Sequence, residues 1–441
     1  MLPENFNDNN VCIVGLGYVG LTLAVVMCEA GFRVHGVERD AQVATQIAAG
    51  QPHFMEYGLA SRLARQVASG RLTASTAWPD PEHVSVYIVT VGTPLNSSGV
   101  VDLSSITDVS DTLAARIKPN DLIILRSTVK IGVTRGLVKE RIEKSGRPFD
   151  IAFCPERTVE GRALEELRSL PQIVGGDRPE ATNRAAQLYS FLTPTVVRVD
   201  SLEAAEMIKL VNNTQRDLLF AFANEIALVC EDVGVSAKEV ITAGNMGYAR
   251  SMVPLPGPVG GPCLSKDPYI LAESTSSPTA LAQLSLLSRK LNEGLPKAII
   301  ARLKTFLPGT AISRIAIFGL AFKGRPETSD LRGTLATQLI ADLRSHFPAA
   351  TIVGFDPAVA AGDMRTLGIE YTNSAIEAAR GAQLAIFQNN NLRFQDIDFW
   401  ALSSEMAVGG FIYDMWNQFD LESIYCQNDV RYLALGDAAA R

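Results

Sequence analysis

Two hydrophobic rhythms alternate along this chain. Short continuous apolar runs, VCIV at 11–14, VSVYIVTV at 84–91, DLIILRS at 121–127 and DIAFCPE at 150–156, read as strands buried on both faces. Between the first two lie the helical pattern LTLAVVMCEA (21–30), then Gly31, then a second strand, FRVHGVE (32–38). The same succession returns late in the chain. RIAIFGLAF (314–322) reads as a strand, TLATQLIADLRSHF (334–347) as a helix, and TIVGFDP, AQLAIFQ and GFIYDMW as further strands. From Leu202 to Val233 no proline or glycine interrupts a helical pattern roughly 45 Å long at 1.5 Å per residue. Its second half is apolar around most of the circumference, which predicts burial between domains or between subunits. The predicted fold is α/β: two doubly wound, Rossmann-like domains joined by a long central helix. The boundaries follow as 1–200, 201–305 and 306–441, with a proline-rich break around 306–310 and a ligand cleft expected between the two lobes.

Composition narrows the function. A chain of 441 residues is too long for one ordinary core, and 47% hydrophobic with 20% charged residues describes a folded globular protein. The net charge of −7 leaves no basic excess to neutralise phosphates, so a nucleic-acid partner is not expected. No apolar run reaches the length that crosses a bilayer, and the polar start MLPENFNDNN has no signal-peptide pattern, so no membrane partner is expected. The six cysteines and four histidines show neither paired nor metal-ligand spacing. No metal and a reducing cytoplasmic location are therefore expected.

The turn after the first strand reads Gly15-Leu-Gly17-Tyr18-Val19-Gly20. Within a strand–turn–helix–strand unit this spacing is the fingerprint of a dinucleotide site. Gly15 allows the tight turn, Gly17 the approach of a pyrophosphate, and Gly20 close packing of helix on strand. Glu38 ends the second strand, where a carboxylate binds both ribose hydroxyls and repels a 2′-phosphate, so NAD is expected over NADP. Polar clusters close the next strands: Gly92-Thr93-Pro94, Ser127-Thr128-Val129 and Pro155-Glu156-Arg157. In an open parallel sheet such strand ends face the ligand, although each cluster alone is also ordinary turn chemistry.

A thiol stands in the tightly specified loop PGPVGGPCLSKDP (256–268), where Cys263 follows a glycine pair. Cys12, Cys28 and Cys230 lie instead in apolar segments, as filler cysteines do. Lys209 and Asn213 share one face of the long helix, and the lysine's apolar neighbours weaken a simple solvent-facing reading. The loop alone does not decide what its thiol does.

Taken together, GLGYVG (15–20), VGTPL (91–95), STVKIG (127–132), PERTVEG (155–161), the helix with Lys209 and Asn213, GGPCLSKDP (260–268) and GLAFKGRPETSDLRG (319–333) resemble the UDP-glucose/UDP-N-acetylhexosamine dehydrogenases over nearly the whole chain. The resemblance implies NAD-dependent oxidation of the C6 alcohol of a nucleotide sugar to a carboxylate, for surface polysaccharide precursors. It implies that residues 1–200 bind NAD, that 201–305 carry the catalytic loop and dimer contacts, and that 306–441 bind the UDP-sugar. Cys263 becomes the nucleophile, through a thiohemiacetal and then a thioester. Backbone N–H groups near Gly260 and Gly261, with a nearby cation, are expected to favour its thiolate. Lys209 and Asn213 stabilise the oxyanion. Asp267 and Glu160 serve as base or water-positioning groups, Asp267 being equally a helix N-cap before Pro268. Thr128 joins the catalytic set, Glu156, Arg157 and the glycine pair contact substrate, and Lys323 meets the uridine diphosphate. Tyr18, Val19, Thr93, Ser127, Lys266 and Arg332 join the glycines and Glu38 on the cofactor. A homodimer or higher homo-oligomer is expected.

Two departures bear on the sugar. Arg157 follows Glu156 where UDP-glucose enzymes carry an aromatic residue, which points to an N-acetylhexosamine such as UDP-N-acetylmannosamine, with UDP-glucose as the alternative. Trp416 stands where the family commonly has an arginine. Two other classes share parts of the pattern, a two-electron hydroxyacid dehydrogenase and a non-catalytic NAD sensor. Neither accounts for Cys263 and a second α/β lobe.

Overall fold

The computed structural model describes residues 2–3, 6–96, 98–275, 282–307, 312–420 and 424–437. The chain forms two compact units, Met1–Asn212 with Tyr269–Ala282, and Asn213–Pro268 with Gln283–Arg441.

The first unit is built on eight strands: β1 Asn10–Val14, β2 Arg33–Val37, β3 Leu72–Ser75, β4 Val86–Val89, β5 Asp121–Leu125, β6 Phe149–Phe153, β7 Gln172–Gly176 and β8 Val196–Val199. They lie in the order β3-β2-β1-β4-β5-β6-β7-β8, parallel at every pairing except β6 with β7. The chain winds outward both ways from β1 and β4, so the carboxyl ends of that pair form the switch point where ligands bind. β4 and β5 are buried at every position, as their unbroken apolar runs predict. The helix Tyr18–Ala30 is buried along Gly20–Cys28, which explains an apolar pattern with no polar face. Each large aliphatic side chain buried there contributes about 1.5–3 kcal/mol. The helix stops at Gly31, whose φ of 114° lets its N–H turn back onto Met27 and Cys28.

The second unit repeats the plan with β9 Arg314–Phe318, β10 Thr351–Phe355, β11 Glu370–Tyr371, β12 Leu384–Phe387, β13 Phe411–Asp414 and β14 Arg431–Ala434. All its pairings are parallel, in the order β11-β10-β9-β12-β13-β14. The repetition extends to single hydrogen bonds. Gly15 N–H bonds the Val37 carbonyl at 2.8 Å and Leu16 N–H the Glu38 carboxylate at 2.8 Å. Gly319 N–H bonds the Phe355 carbonyl at 2.8 Å and Leu320 N–H the Asp356 carboxylate at 2.6 Å. The copies then diverge. Helix Tyr18–Ala30 begins at once, whereas residues 319–334 loop outward before helix Leu335–His346. Asp356 also accepts from the N–H groups of Ala321, Ala358 and Val359 and is buried, so it is spent on the backbone.

The central helix spans Leu202–Val233, as its uninterrupted pattern predicts. In the single chain its Phe222, Val229 and Val233 are 45%, 51% and 64% exposed. Part of the predicted break at 306–310 lies outside the described residues. Among the described residues no helix is long and apolar enough to cross a membrane, and no three His, Cys, Asp or Glu side chains gather as a metal site.

Candidate active site

The dinucleotide turn separates three reasons for glycine. Gly15 has φ +91°, where an L side chain is strained. At Gly20 a Cβ would stand 1.9 Å from the Gly15 carbonyl oxygen, so helix and turn touch only because it is absent. At Gly17 φ is −68° and a Cβ would meet nothing within 4 Å, so neither the backbone nor the packing demands glycine there. Tyr18 opens the helix and stacks on Phe54, ring centroids 4.0 Å apart, while Val19 is half-buried beside it. Glu38 is half-buried, its carboxylate steadied by the N–H groups of Leu16 and Asp40.

At the ends of β4 and β5 the hydroxyls hold loops. Thr93 donates to the Thr128 carbonyl at 2.5 Å, and Ser127 to the Val91 carbonyl at 2.7 Å. After β6, Glu156 is a correction to the sequence reading. It is buried, with one oxygen on the guanidinium of Arg126 at 2.7 and 3.0 Å and the other on the N–H groups of Arg157 and Thr158. Burial alone would raise its pKa, but the Arg126 charge and hydrogen bond, the Thr158 N–H and the Lys209 charge together outweigh it and hold the carboxyl below the ordinary carboxylate range. Glu156 therefore anchors the 155–161 segment and is not presented to a ligand. Arg126, overlooked in the sequence because it closes the strand run DLIILRS, also bonds the Cys154 carbonyl and Gln172. Arg157 is partly spent too, on the Pro171 carbonyl at 2.7 Å and on Asn212. Glu160 is half-buried next to Gly161, whose N–H binds the buried Glu56, another residue the sequence did not single out. Lys209 is 7% exposed and forms no ion pair among the described residues. A cleft of about 1140 Å³ lined by Arg62, Arg65, Arg71, Arg162 and Arg168 includes none of the predicted site residues.

In the second unit the predicted groups converge. Asn213, one turn beyond Lys209, donates its amide to Asp267 at 2.5 Å. Asp267 is fully buried at the start of helix Asp267–Glu273, with Lys266 Nζ 4.0 Å from its Oδ1. That Oδ1 has no hydrogen-bond partner among the described residues, an expensive state for a buried carboxylate oxygen. Four residues earlier, the short helix Gly261–Leu264 presents Cys263 as an exposed residue. The other thiols differ: burial pushes Cys12 and Cys28 up to about 12 and Cys154 up to about 11.

The glycine pair needs a correction. A Cβ at Gly260 would meet the Gly333 carbonyl oxygen at 2.5 Å, and one at Gly261 the Phe322 ring at 2.3 Å. The Gly261 N–H donates to the Gly333 carbonyl at 2.8 Å and is not available to a thiolate. These glycines dock the cysteine loop on the 319–333 loop. There Lys323 sits 5.4 Å from the Phe322 ring centre, and Arg332 makes a forked pair with Asp330 at 2.7–3.0 Å. Trp416 donates to the Gln388 carbonyl at 2.9 Å and lies over Gly257, where a Cβ would meet its ring at 2.4 Å. The tryptophan thus packs against the cysteine loop.

A dinucleotide-binding sheet, a second parallel sheet and a thiol-bearing loop define a cofactor-dependent dehydrogenase of two α/β units. Three models of the UDP-glucose/GDP-mannose dehydrogenase family match in chain order: the NAD binding domain over 9–193, the central domain over 203–294 and the UDP binding domain over 316–421. The chain belongs to this family. It is 30% identical to an NDP-N-acetyl-D-galactosaminuronic acid dehydrogenase of Ralstonia nicotianae, covering 90% of this chain and 94% of the relative. It is 29% identical to a UDP-N-acetyl-D-mannosamine dehydrogenase of Methanococcus aeolicus, covering 97% and 95%. A solved UDP-D-ManNAc dehydrogenase from Pyrococcus horikoshii superposes with a TM-score of 0.86 at 27% identity, covering 97% and 99%. The protein is an NAD-dependent oxidoreductase. Its own residues fit the cofactor: the open space at Gly17 admits a pyrophosphate, and Glu38 stands at the strand end where a ribose is read.

Proposed function

We propose that the protein oxidises the C6 alcohol of a UDP-N-acetylhexosamine, UDP-N-acetylmannosamine being the first choice, to the uronate. The observation that carries this reading is the buried Asp267, its Oδ1 unsatisfied, four residues after the exposed Cys263. When bound, NAD accepts one hydride, so the two oxidations consume two NAD molecules, the second replacing the NADH formed in the first. Once C6 is an aldehyde, the Cys263 thiolate adds to it, which creates an oxyanion on the former carbonyl oxygen. Lys209 and the Asn213 amide are the donors for that oxyanion. After the second oxidation C6 is a thioester. Water held by Asp267 Oδ1 or Glu160 attacks it, the C–S bond breaks, and carboxylate and thiol are released. Gly15, Gly17, Gly20, Tyr18, Val19, Glu38, Thr93 and Ser127 bind the cofactor, with Lys266 and Arg332 as further contacts, while Arg157 and Lys323 contact the UDP-sugar.

The choice of sugar rests on the names of the relatives and on Arg157. A panel of UDP-N-acetylmannosamine, UDP-N-acetylgalactosamine, UDP-N-acetylglucosamine and UDP-glucose tests it, with NADH as readout. Turnover of UDP-glucose alone would replace the sugar and leave the reaction class intact.

A homodimer is part of the same proposal. Phe222, Val229 and Val233 on the central helix, with Met246 and Met252 beyond it, leave an apolar face of 45–82% exposed residues that a second copy would cover. Light scattering during gel filtration should give twice the 47.5 kDa chain mass, and a monomer at working concentration would contradict it. A cytoplasmic location fits a mechanism that needs a reduced thiol, and fractionation placing the protein outside the cell would oppose it.

A further inference from the structure

Behind the cysteine loop lies a polar network that the reaction scheme does not use. Asp217, Asn224, Arg289 and Asn292 are each 0% exposed. The first two stand on the central helix, two turns apart and on the stripe that begins with Asn213. The others stand on helix Gln283–Phe306. The Arg289 guanidinium bonds three acceptors at once: Asp217 Oδ1 at 2.6 Å, the Leu264 carbonyl at 3.2 Å and the Val259 carbonyl at 3.0 Å. The last two bracket Gly260-Gly261-Pro262-Cys263. Asn292 donates to Asp217 at 2.9 Å and accepts from Asn224 at 3.0 Å. Asn224 in turn holds Gly257 by both backbone groups, accepting from its N–H at 2.8 Å and donating to its carbonyl at 3.1 Å.

We infer that Arg289 and Asn224, supported by Asp217 and Asn292, are positioning residues that fix the Cys263 thiol for capture of the C6 aldehyde. The inference rests on the reading of Cys263 as nucleophile. Its physical basis is cost and geometry together. A buried charge pair and two buried amides are retained where apolar packing would serve a purely structural contact equally well. Nearly every hydrogen bond they make ends on the loop backbone or on another member of the set. Three backbone pins, at Gly257, Val259 and Leu264, leave the intervening segment little freedom to drift. A nucleophile displaced by an ångström loses much of the advantage of a fixed geometry.

The test uses Arg289→Lys and Asn224→Ala in the full chain. Lysine keeps a positive charge beside Asp217, but a single ammonium cannot span acceptors placed for a fork. The alanine variant keeps the charge pair whole and releases Gly257, so it serves if the lysine variant does not fold. The readouts are NADH formed per UDP-sugar consumed in the presence of hydroxylamine, the KM for the UDP-sugar, and the thermal midpoint. Loose positioning lets the aldehyde escape capture. Stoichiometry should fall from two NADH towards one with an oxime product, kcat for uronate should fall by about tenfold or more, and KM should stay within about threefold. Two NADH per sugar and unchanged kcat in the folded variants would overturn the inference and leave the network a stability element. Cys263→Ser separates the two levels. If it is inactive while the network variants behave as wild type, only this inference fails. If it makes two NADH at the wild-type rate, the nucleophile reading fails and the inference falls with it.

Discussion

Gly17 and Gly20 are separated by one turn of helix and are expected to fail in opposite ways when given a methyl group. At Gly20 the new Cβ would lie 1.9 Å from the Gly15 oxygen and 2.7 Å from Thr90 Oγ1, so the turn must move away from the helix. Overpacking of this kind costs about 1–3 kcal/mol. For a unit of roughly 200 residues that corresponds to a fall of roughly 2–12 °C in Tm. At Gly17 nothing lies within 4 Å of the new atom, and the φ of −68° suits alanine. The loss is limited to a poorer helix cap, about 1 kcal/mol or less. The methyl group nevertheless occupies the space assigned to the pyrophosphate, and NAD affinity should fall at least tenfold, about 1.4 kcal/mol. Calorimetric titration with NAD and a thermal melt on each variant separate the effects. Wild-type NAD affinity in Gly17→Ala would refute the placement of the pyrophosphate, and a wild-type melt in Gly20→Ala would refute the packing argument.

Glu38→Ala should narrow the preference for NAD over NADP, measured as the ratio of kcat/KM for the two, and an unchanged ratio would remove Glu38 from the ribose. Cys263→Ser should bind NAD and UDP-sugar nearly normally yet lose turnover by orders of magnitude, while Cys12→Ser acts on stability alone; activity assays normalised to folded protein distinguish them. Arg126→Met strands the Glu156 charge and should destabilise by about 3–5 kcal/mol in urea unfolding, a loss below 1 kcal/mol being incompatible with a buried anchor. Burial pushes Glu231 up from 4.5 to about 7, with the Gly436 N–H and Arg302 pulling the other way. Because the folded pKa is the higher one, its contribution to stability is present below pH 4.5 and is lost as pH rises through about 7. Melts between pH 4 and 8 should therefore show a smaller decline across this window for Glu231→Gln than for the wild type, and equal declines would contradict the assignment.

What the sequence disclosed follows from how each element is stabilised. The central helix was legible to its ends because nothing within Leu202–Val233 interrupts it and Gly234 follows with φ +82°. The inner strands of both sheets were legible as apolar runs, although their polar ends, such as Arg126 and Ser127, belong to the loops. Leu72–Ser75, Val196–Val199 and Glu370–Tyr371 escaped notice because they are short, partly exposed strands at sheet edges. The antiparallel β7, QIVGG, was hidden by its glycines. There a Cβ on Gly175 would collide with the Ser201 carbonyl at 2.2 Å. In the site, residues within local motifs were found. Arg126, Asp217, Asn224, Arg289 and Asn292 were not, because a polar residue in a helix or at a strand end reads as solvated until its burial is seen. The signal that was available is the spacing of Lys209, Asn213 and Asp217 at four-residue intervals, which places a further charge on the same stripe.

The central claim is a four-electron oxidation carried by one cysteine, and counting electrons tests it most directly. UDP-N-acetylmannosamine supplied below the enzyme concentration, with excess NAD, should yield two NADH per sugar and the uronate. The Cys263→Ser variant should yield no uronate in the same time. One NADH per sugar with free aldehyde as the final product, or two NADH from the serine variant at the wild-type rate, would contradict the account.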